Sequence, residues 1–317
     1  MTGFAHGFIE WDGSEHYTLG HGGNTAAFSA QVNIVPEENF GVVILTNSAG
    51  ESEISLGLTQ ALVGKRNQPA PSSPGNLPSA SEVEGSFVSA RRMHNSFLEL
   101  YSYLSLVDVR AVDDNVIELS MGGQSATLVQ TRPYVFERDE AEGLLNYIFD
   151  MVYFEVVDGR VQRMSGDLLP LPPGRTRPWL MASILIAGFS VLYFSVSPVI
   201  LLIKKLRSKR RTSYDTFYWR RYMGLLTLTG TAVLANNALL IARMLIDNYR
   251  SFAQVRIHVL INYPLFVLAA VLILATILQW RRSRLTRGQK FWTLTTIFTM
   301  LAFAGLLANW QFLTLLA

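Results

Sequence analysis

Cysteine is absent from this chain of 317 residues, which excludes disulfide bonds and every metal site that needs a thiolate ligand. His6, His16 and His258 do not line up with His21 at any ligand spacing, and we expect no metal or other cofactor. Residues 1–20 also lack the charged start and apolar core of a secretory signal. Because a domain outside the cell ahead of a membrane span normally needs such a signal, we expect further sequence upstream of Met1.

The chain also has little net charge. The formal net charge is only +3, whereas half of the residues are hydrophobic (50%) and the mean hydropathy of +0.24 is high for a soluble protein. The apolar residues crowd into the C-terminal half, and the positive residues cluster beside the apolar runs. This pattern indicates membrane topology rather than binding to nucleic acid.

Four apolar runs are each long enough to cross about 30 Å of hydrocarbon. They occupy roughly residues 179–203, 222–246, 258–280 and 291–316. The predicted fold of residues 179–317 is therefore a four-helix transmembrane bundle, and its predicted partner is the lipid bilayer. Four buried helices of a soluble protein are the alternative, but that alternative leaves the basic loops unexplained.

The basic loops predict how the chain is oriented. Eight Lys or Arg residues lie in loop 204–221 and five in loop 281–290, whereas the loop between the second and third runs carries only Arg250, with Arg256 beside it. The positive-inside rule then places loops 204–221 and 281–290 in the cytoplasm. Residues 1–178 and the C-terminus are predicted to be extracytoplasmic.

Few polar residues interrupt the apolar runs. Asn236 and Asn237 lie in the middle of the second run, and Arg243 lies nearer its outer end. Polar groups within a membrane are costly, so a functional role is one hypothesis. The favoured hypothesis is structural: the asparagines form hydrogen bonds between helices, and Arg243 extends its guanidinium group to the membrane surface.

Residues 82–171 form a stretch of short β-prone segments, predicted at 84–88, 90–92, 96–106, 116–119, 126–129, 134–136, 147–149 and 153–156. Gly122-Gly123 and Asp158-Gly159 mark turns, and the pair Asp113-Asp114 is interpreted as a turn rather than as a metal site. The pattern predicts a small antiparallel barrel or sandwich. Residues 66–81, rich in Pro, Ser and Gly, are predicted to be a linker.

The first 65 residues predict strands followed by a helix. Residues 7–11 and 16–21 form a predicted hairpin around the turn signal Asp12-Gly13, residues 29–35 and 41–46 are β-prone, and a helix is predicted over 52–63. Between these strands lies the sequence His21-Gly22-Gly23-Asn24.

The stretch from Leu19 to Asn47, LGHGGNTAAFSAQVNIVPEENFGVVILTN, resembles the end of the catalytic domain of serine β-lactamase-like hydrolases. This family includes class C β-lactamases, penicillin-binding proteins and D-aminopeptidases. The resemblance implies an α+β domain of which residues 1–65 are the C-terminal remnant. His21-Gly22-Gly23 matches the His-x-Gly form of the family's third motif, which lines the substrate cleft. It further implies that the backbone N–H of Asn24 serves as an oxyanion-hole donor. In isolation, a His before Gly-Gly is usually a residue that flanks a turn.

The family's other two motifs are missing. No Ser in this chain has Lys three places on, and no Ser or Tyr has Asn two places on. Both motifs precede the His-x-Gly strand in the family, so the resemblance implies that a catalytic half lies upstream of Met1.

Two functions follow from these observations, and whether this chain is itself an enzyme stays open. In the first, the chain is the C-terminal part of a membrane-anchored hydrolase that cleaves amide bonds in peptidoglycan-type or D-amino-acid peptides and is inactive without its missing half. In the second, it is a non-catalytic, membrane-anchored binding or sensory module.

Overall fold

The computed structural model describes residues 4–11, 14–48, 51, 53–64, 77–140, 149, 151–207, 214–247, 250–282 and 284–315. Its contacts divide the chain into two compact units. The first unit comprises Met1–Arg92 and Tyr101–Pro173, and the second comprises Met93–Leu100 and Gly174–Ala317.

The first unit begins with a five-stranded antiparallel sheet whose strands follow one another in chain order. The strands are β1 (Phe4–Ala5), β2 (Phe8–Trp11), β3 (Thr18–Asn24), β4 (Ser29–Val35) and β5 (Phe40–Thr46). Asn39 has a positive φ of 48° after the short helical turn Pro36–Glu38 and so closes the connection between β4 and β5. The predicted hairpin is confirmed by the pairing of β2 with β3, although Asp12-Gly13 lies outside the described residues.

Helix α1 (Glu53–Val63) covers one face of this sheet. The covered face combines the buried apolar residues Val35 and Ile44 with buried amides: the Gln31 amide donates to Asn33 Oδ1 (2.8 Å), and the Asn33 amide donates to Thr59 Oγ1. The opposite face is apolar, and its side chains Val43 (69% exposed) and Leu45 (76% exposed) lie in the open. The helix therefore leaves a large apolar surface uncovered.

Eight further strands form a closed antiparallel barrel. They are β6 (Gly85–Ser89), β7 (Val107–Asp113), β8 (Val116–Met121), β9 (Gln124–Arg132), β10 (Val135–Glu140), β11 (Met151–Val157), β12 (Arg160–Met164) and β13 (Leu168–Pro170). Neighbours along the chain pair with each other, and β13 pairs with β6 to close the barrel. The prediction of a small antiparallel barrel is thus confirmed, and the sandwich is excluded.

Alternating side chains fill the barrel. Its core includes Phe87, Ile117, Leu128, Phe136 and Met164, all buried. The turns predicted at Gly122-Gly123 and Asp158-Gly159 are confirmed, and all four of these residues have positive φ. Ala80 and Val83, in the short helical turn Ala80–Val83, also belong to this core. Ala80, at the end of the predicted linker 66–81, is therefore part of the barrel core, whereas residues 66–76 of that linker lie outside the described residues.

The strands predicted at 90–92 and 96–106 are wrong. Strand β6 ends at Ser89, and α2 (Glu99–Ser102) is a short helix. Ser96 starts this turn because its carbonyl accepts from the Glu99 N–H and its hydroxyl accepts from the Leu98 N–H. Of the strand predicted at 147–149, residues 147 and 148 lie outside the described residues, and Phe149 is buried but is not in a strand.

The second unit contains four long helices: α3 (Arg177–Arg207), α4 (Tyr214–Ile246), α5 (Phe252–Arg282) and α6 (Arg287–Asn309). All four are long and apolar enough to cross a membrane, and large apolar side chains such as Leu185 and Phe298 are exposed on them. A protein surface of this kind is compatible with contact to a lipid bilayer. The four predicted spans are therefore confirmed as helices.

The bounds of the helices differ from the predicted spans. Helices α3, α4 and α5 extend into the polar residues that flank the apolar runs. The predicted spans exclude these residues because they were drawn from hydropathy alone. The fourth predicted span, 291–316, is too long at its end because α6 stops at Asn309. After a turn, Gln311 has a positive φ of 62° and the chain leaves the helix.

Candidate functional site

The four predicted site residues lie together on the second half of β3. His21, Gly22, Gly23 and Asn24 pair with Val32, Gln31, Ala30 and Ser29 of β4, respectively. We call residues 21–24 the β3 strip. On the other side of β3, strand β2 pairs only with residues 18–20. Within the described part of the chain, the β3 strip therefore has a strand on one side only, and all four residues are exposed.

The glycines of β3 differ in what surrounds them. A Cβ on Gly20 would lie 1.9 Å from Asn33 Oδ1 and 2.5 Å from Trp11 Nε1, and a Cβ on Gly22 would lie 2.4 Å from Gln31 Oε1. Gly20 is thus needed for packing on the covered face, because the Val32 carbonyl oxygen would also lie only 2.9 Å from its Cβ. At Gly22, only the end of the flexible Gln31 side chain would have to move. A Cβ on Gly23 would meet nothing within 4 Å. Packing does not explain the glycine at 23.

A tight turn connects the β3 strip to β4. The Thr25 N–H donates to the Phe28 carbonyl (2.8 Å), and the Thr25 hydroxyl accepts from the Phe28 N–H (3.0 Å). Phe28, at the end of this turn, is exposed. The strip is therefore an accessible stretch of backbone on a fixed hairpin, with an apolar ring next to it. The oxyanion role of the Asn24 N–H stays a prediction.

Three asparagines of the second unit form an amide cluster between α4 and α5. Asn262 Oδ1 accepts from the amides of Asn236 and Asn237 (2.9 Å each), and the Asn262 amide donates to Asn237 Oδ1 (3.0 Å). It also donates to the Phe312 carbonyl (3.2 Å), beyond the end of α6. The predicted hydrogen bonding by the asparagines is confirmed, and Arg243 is exposed.

His258 belongs to the same cluster, and the sequence analysis missed it. Its Nδ1 atom lies 2.8 Å from Asn236 Oδ1, and the side chain is buried. The Asn236 amide nitrogen donates to the His258 carbonyl and to Asn262 Oδ1, so the atom that faces His258 Nδ1 is the amide oxygen. Because an amide oxygen can only accept, the N–H of Nδ1 is the donor in this contact. The signal was the spacing of His258 and Asn262, four residues apart and so on one face of a helix.

Arg175 forms a second contact group that sequence reasoning missed. Its guanidinium donates to the side-chain and backbone oxygens of Asn309 (2.8 Å each) and lies over the Trp310 ring, 4.2 Å from the ring centroid. It also pairs with Glu99 (3.4 Å). These contacts bind the end of α6 to the segment before α3, so their role is structural. No motif in the sequence marks this arginine.

Among the described residues, no group of three or more His, Asp or Glu side chains could hold a metal ion.

Comparisons with known proteins give little guidance. No family model matches the chain, and no curated protein matches it. Solved structures that match include "Crystal structure of SurE" (15% identity, TM-score 0.30, covering 52% of this chain and 36% of that one). Another is "Crystal structure of SurE with D-Leu" (15% identity, TM-score 0.29, covering 53% of this chain and 38% of that one). The chain thus spans less than two fifths of either structure, and TM-scores this low carry no argument about function.

The predicted membership of the serine β-lactamase-like family is corrected on these comparisons. No family model supports it, and the two matching structures described above are of SurE and not of a β-lactamase. The resemblance rested on one short motif and a strand–turn–strand pattern, which many antiparallel sheets share. Residues 4–64 are therefore described as a five-stranded sheet with one helix, and not as a remnant of a β-lactamase-like domain.

Proposed function

We propose that the protein is a membrane-anchored binding module whose sheet binds an extended peptide along the β3 strip. The observation that carries this proposal is the open side of residues 21–24, where β2 does not reach. In a strand, N–H and C=O groups point alternately to either side. The groups of the strip that point away from β4 are therefore available to pair with a peptide added as a further strand.

The composition of the strip favours this mode of binding. Gly23 has no packing reason to be glycine, and the absence of a side chain there leaves room on the uncovered face for a side chain of the added peptide strand. His21 and Gly23 share the uncovered face with Val32 and Ala30, their partners on β4. Backbone pairing would supply affinity, and His21 and Phe28 would contact the side chains of the peptide.

Peptides of the peptidoglycan type, or others that contain D-amino acids, are the first ligand class to test. They are present outside the cell, where the basic loops of the sequence predict that residues 1–178 lie. Amide hydrolysis is not part of this proposal, because the family assignment on which it rested is corrected.

The absence of native cysteine permits a direct test of the binding position. Single-cysteine variants His21→Cys and Val43→Cys place a thiol on the same uncovered face, two strands apart, and both positions are exposed. Bromoacetyl-capped peptides, with and without D-amino acids, are incubated with the full chain in nanodiscs. We expect labelling at position 21, removed by excess uncapped peptide, and little labelling at position 43. Equal labelling at the two positions would show that the peptide does not bind at the strip.

The orientation of the protein is also a proposal: residues 1–178 and the C-terminus lie outside, and loops 204–221 and 281–290 lie in the cytoplasm. The thirteen basic residues of these two loops support it. We expect a reporter fused after Arg211 to be active in the cytoplasm and one fused after Leu171 to be active outside. The opposite pattern would overturn the orientation.

A further inference from the structure

The last two turns of α3 carry a cavity along one helix face. Ile200, Ile203, Lys204 and Arg207 line this space of about 410 Å³. Their spacing of three, four and seven residues places them on one side of the helix. The isoleucines lie toward the apolar body of the helix, and the two cations lie toward its end. We call this the α3 end cavity.

Lys204 is held in place at this cavity. Its ammonium nitrogen lies 4.6 Å from the centroid of the Trp292 ring on α6. A cation over an indole face is stabilised by the ring's negative face, and this restricts a side chain that otherwise has several rotatable bonds. The charge is therefore presented at a defined position beside the apolar wall.

The end of α3 and the start of α6, which the Lys204–Trp292 contact joins, carry charge of one sign. Lys205 and Arg207 lie at the end of α3, Arg287 and Lys290 lie in the first turn of α6, and Arg284 lies just before it. Neither stretch, 200–207 or 284–292, contains an acidic residue. An anion that enters the cavity thus meets several cations and no competing carboxylate from these segments.

We propose that the α3 end cavity binds an anionic phospholipid of the bilayer. The phosphate lies between Lys204 and Arg207, and the start of an acyl chain lies along Ile200 and Ile203. The order of apolar and cationic side chains along the helix axis is the order of acyl chain and phosphate in a lipid. This order favours a lipid over a soluble phosphate compound, which has no apolar part to place against the isoleucines.

A matched pair of double variants tests the site. Lys204→Ala with Arg207→Ala removes the two cations that line the cavity. Lys205→Ala with Arg282→Ala removes the same total charge from exposed positions that do not line it. The full chain is titrated with phosphatidylglycerol and with phosphatidylcholine in detergent, and bound lipids are counted by native mass spectrometry. Circular dichroism and size-exclusion chromatography verify folding.

We expect the unmodified chain to prefer phosphatidylglycerol. The cavity variant should bind it about thirtyfold more weakly, if each cation contributes the usual amount for a basic residue near an anionic lipid. The control variant should change its affinity less than about threefold. Equal losses in the two variants would mean general attraction to the basic end of the bundle, and would overturn the proposal, as would equal binding of the two lipids.

A third variant tests the cavity without changing any charge. Ile203→Trp fills the space beside the cations, and we expect it to lose the preference for phosphatidylglycerol. A variant that is folded and binds phosphatidylglycerol as before would show that the lipid does not occupy the cavity.

Discussion

At the scale of single residues, the structure distinguishes glycines that the sequence presents alike. Gly20, Gly22 and Gly23 lie within four positions of one strand. The first two face the buried amides of Asn33 and Gln31, and only Gly23 faces open space. The glycine-rich stretch could be recognised from the sequence, but not the reason for each glycine, because that depends on which side chains of β4 lie opposite.

This difference gives a prediction for stability. Gly20→Ala places a methyl group against Asn33 Oδ1, which is fixed by hydrogen bonds, and should lower the free energy of unfolding by about 1–3 kcal/mol. Gly23→Ala should change it by less than about 0.5 kcal/mol. Thermal unfolding of the two variants measures the difference. Similar losses for both variants would contradict the described packing of β3.

At the scale of elements, turns were predicted correctly where the residue types of the turn itself determine the backbone conformation. The turns at Gly122-Gly123 and Asp158-Gly159 could be predicted because their positive φ values favour these residue types. The region around Phe97 could not be predicted in this way. Its apolar residues suggest a strand, but Phe97 is buried by stacking on Phe312, with ring centroids 5.1 Å apart. A partner so distant in sequence leaves no local pattern.

The amide cluster between α4 and α5 gives a prediction for the stability of the bundle. Asn262→Leu keeps the approximate volume but leaves the amides of Asn236 and Asn237 and the Phe312 carbonyl without this partner. We expect a loss of about 2 kcal/mol, since each hydrogen bond between membrane helices contributes about 0.6 kcal/mol and unpaired groups add to the cost.

A matched control lies on the same helix. Thr276 is buried, and its hydroxyl has no hydrogen-bond partner in the described structure. Thr276→Val removes that hydroxyl at nearly constant volume, so the variant should be as stable as the parent or slightly more stable. Denaturation of both variants in detergent micelles measures the effect. If Asn262→Leu unfolds at the same denaturant concentration as the parent, the cluster does not stabilise the bundle.

At the scale of the whole molecule, the bulk properties of the sequence were the most informative. Long apolar runs predict membrane helices because the free energy of transfer of their side chains into hydrocarbon decides where such a segment lies. The sequence left the choice between a barrel and a sandwich open, since closure depends on the pairing of β6 with β13 from opposite ends of the domain. Family membership was predicted from a short motif and was wrong, because a glycine-rich strand is a feature of local geometry and not of one family.

The central claim is that a peptide binds by adding a strand beside residues 21–24. The most direct measurement is an N-methyl scan of a peptide captured by the His21→Cys variant, with the affinity of each methylated form measured for the full chain in nanodiscs. If the peptide pairs as a strand, methylation at every second residue should weaken binding about tenfold or more, because those N–H groups face β3. Methylation at the alternate residues should have little effect. A loss that does not alternate, or no loss at any position, would contradict strand addition and with it the proposed function.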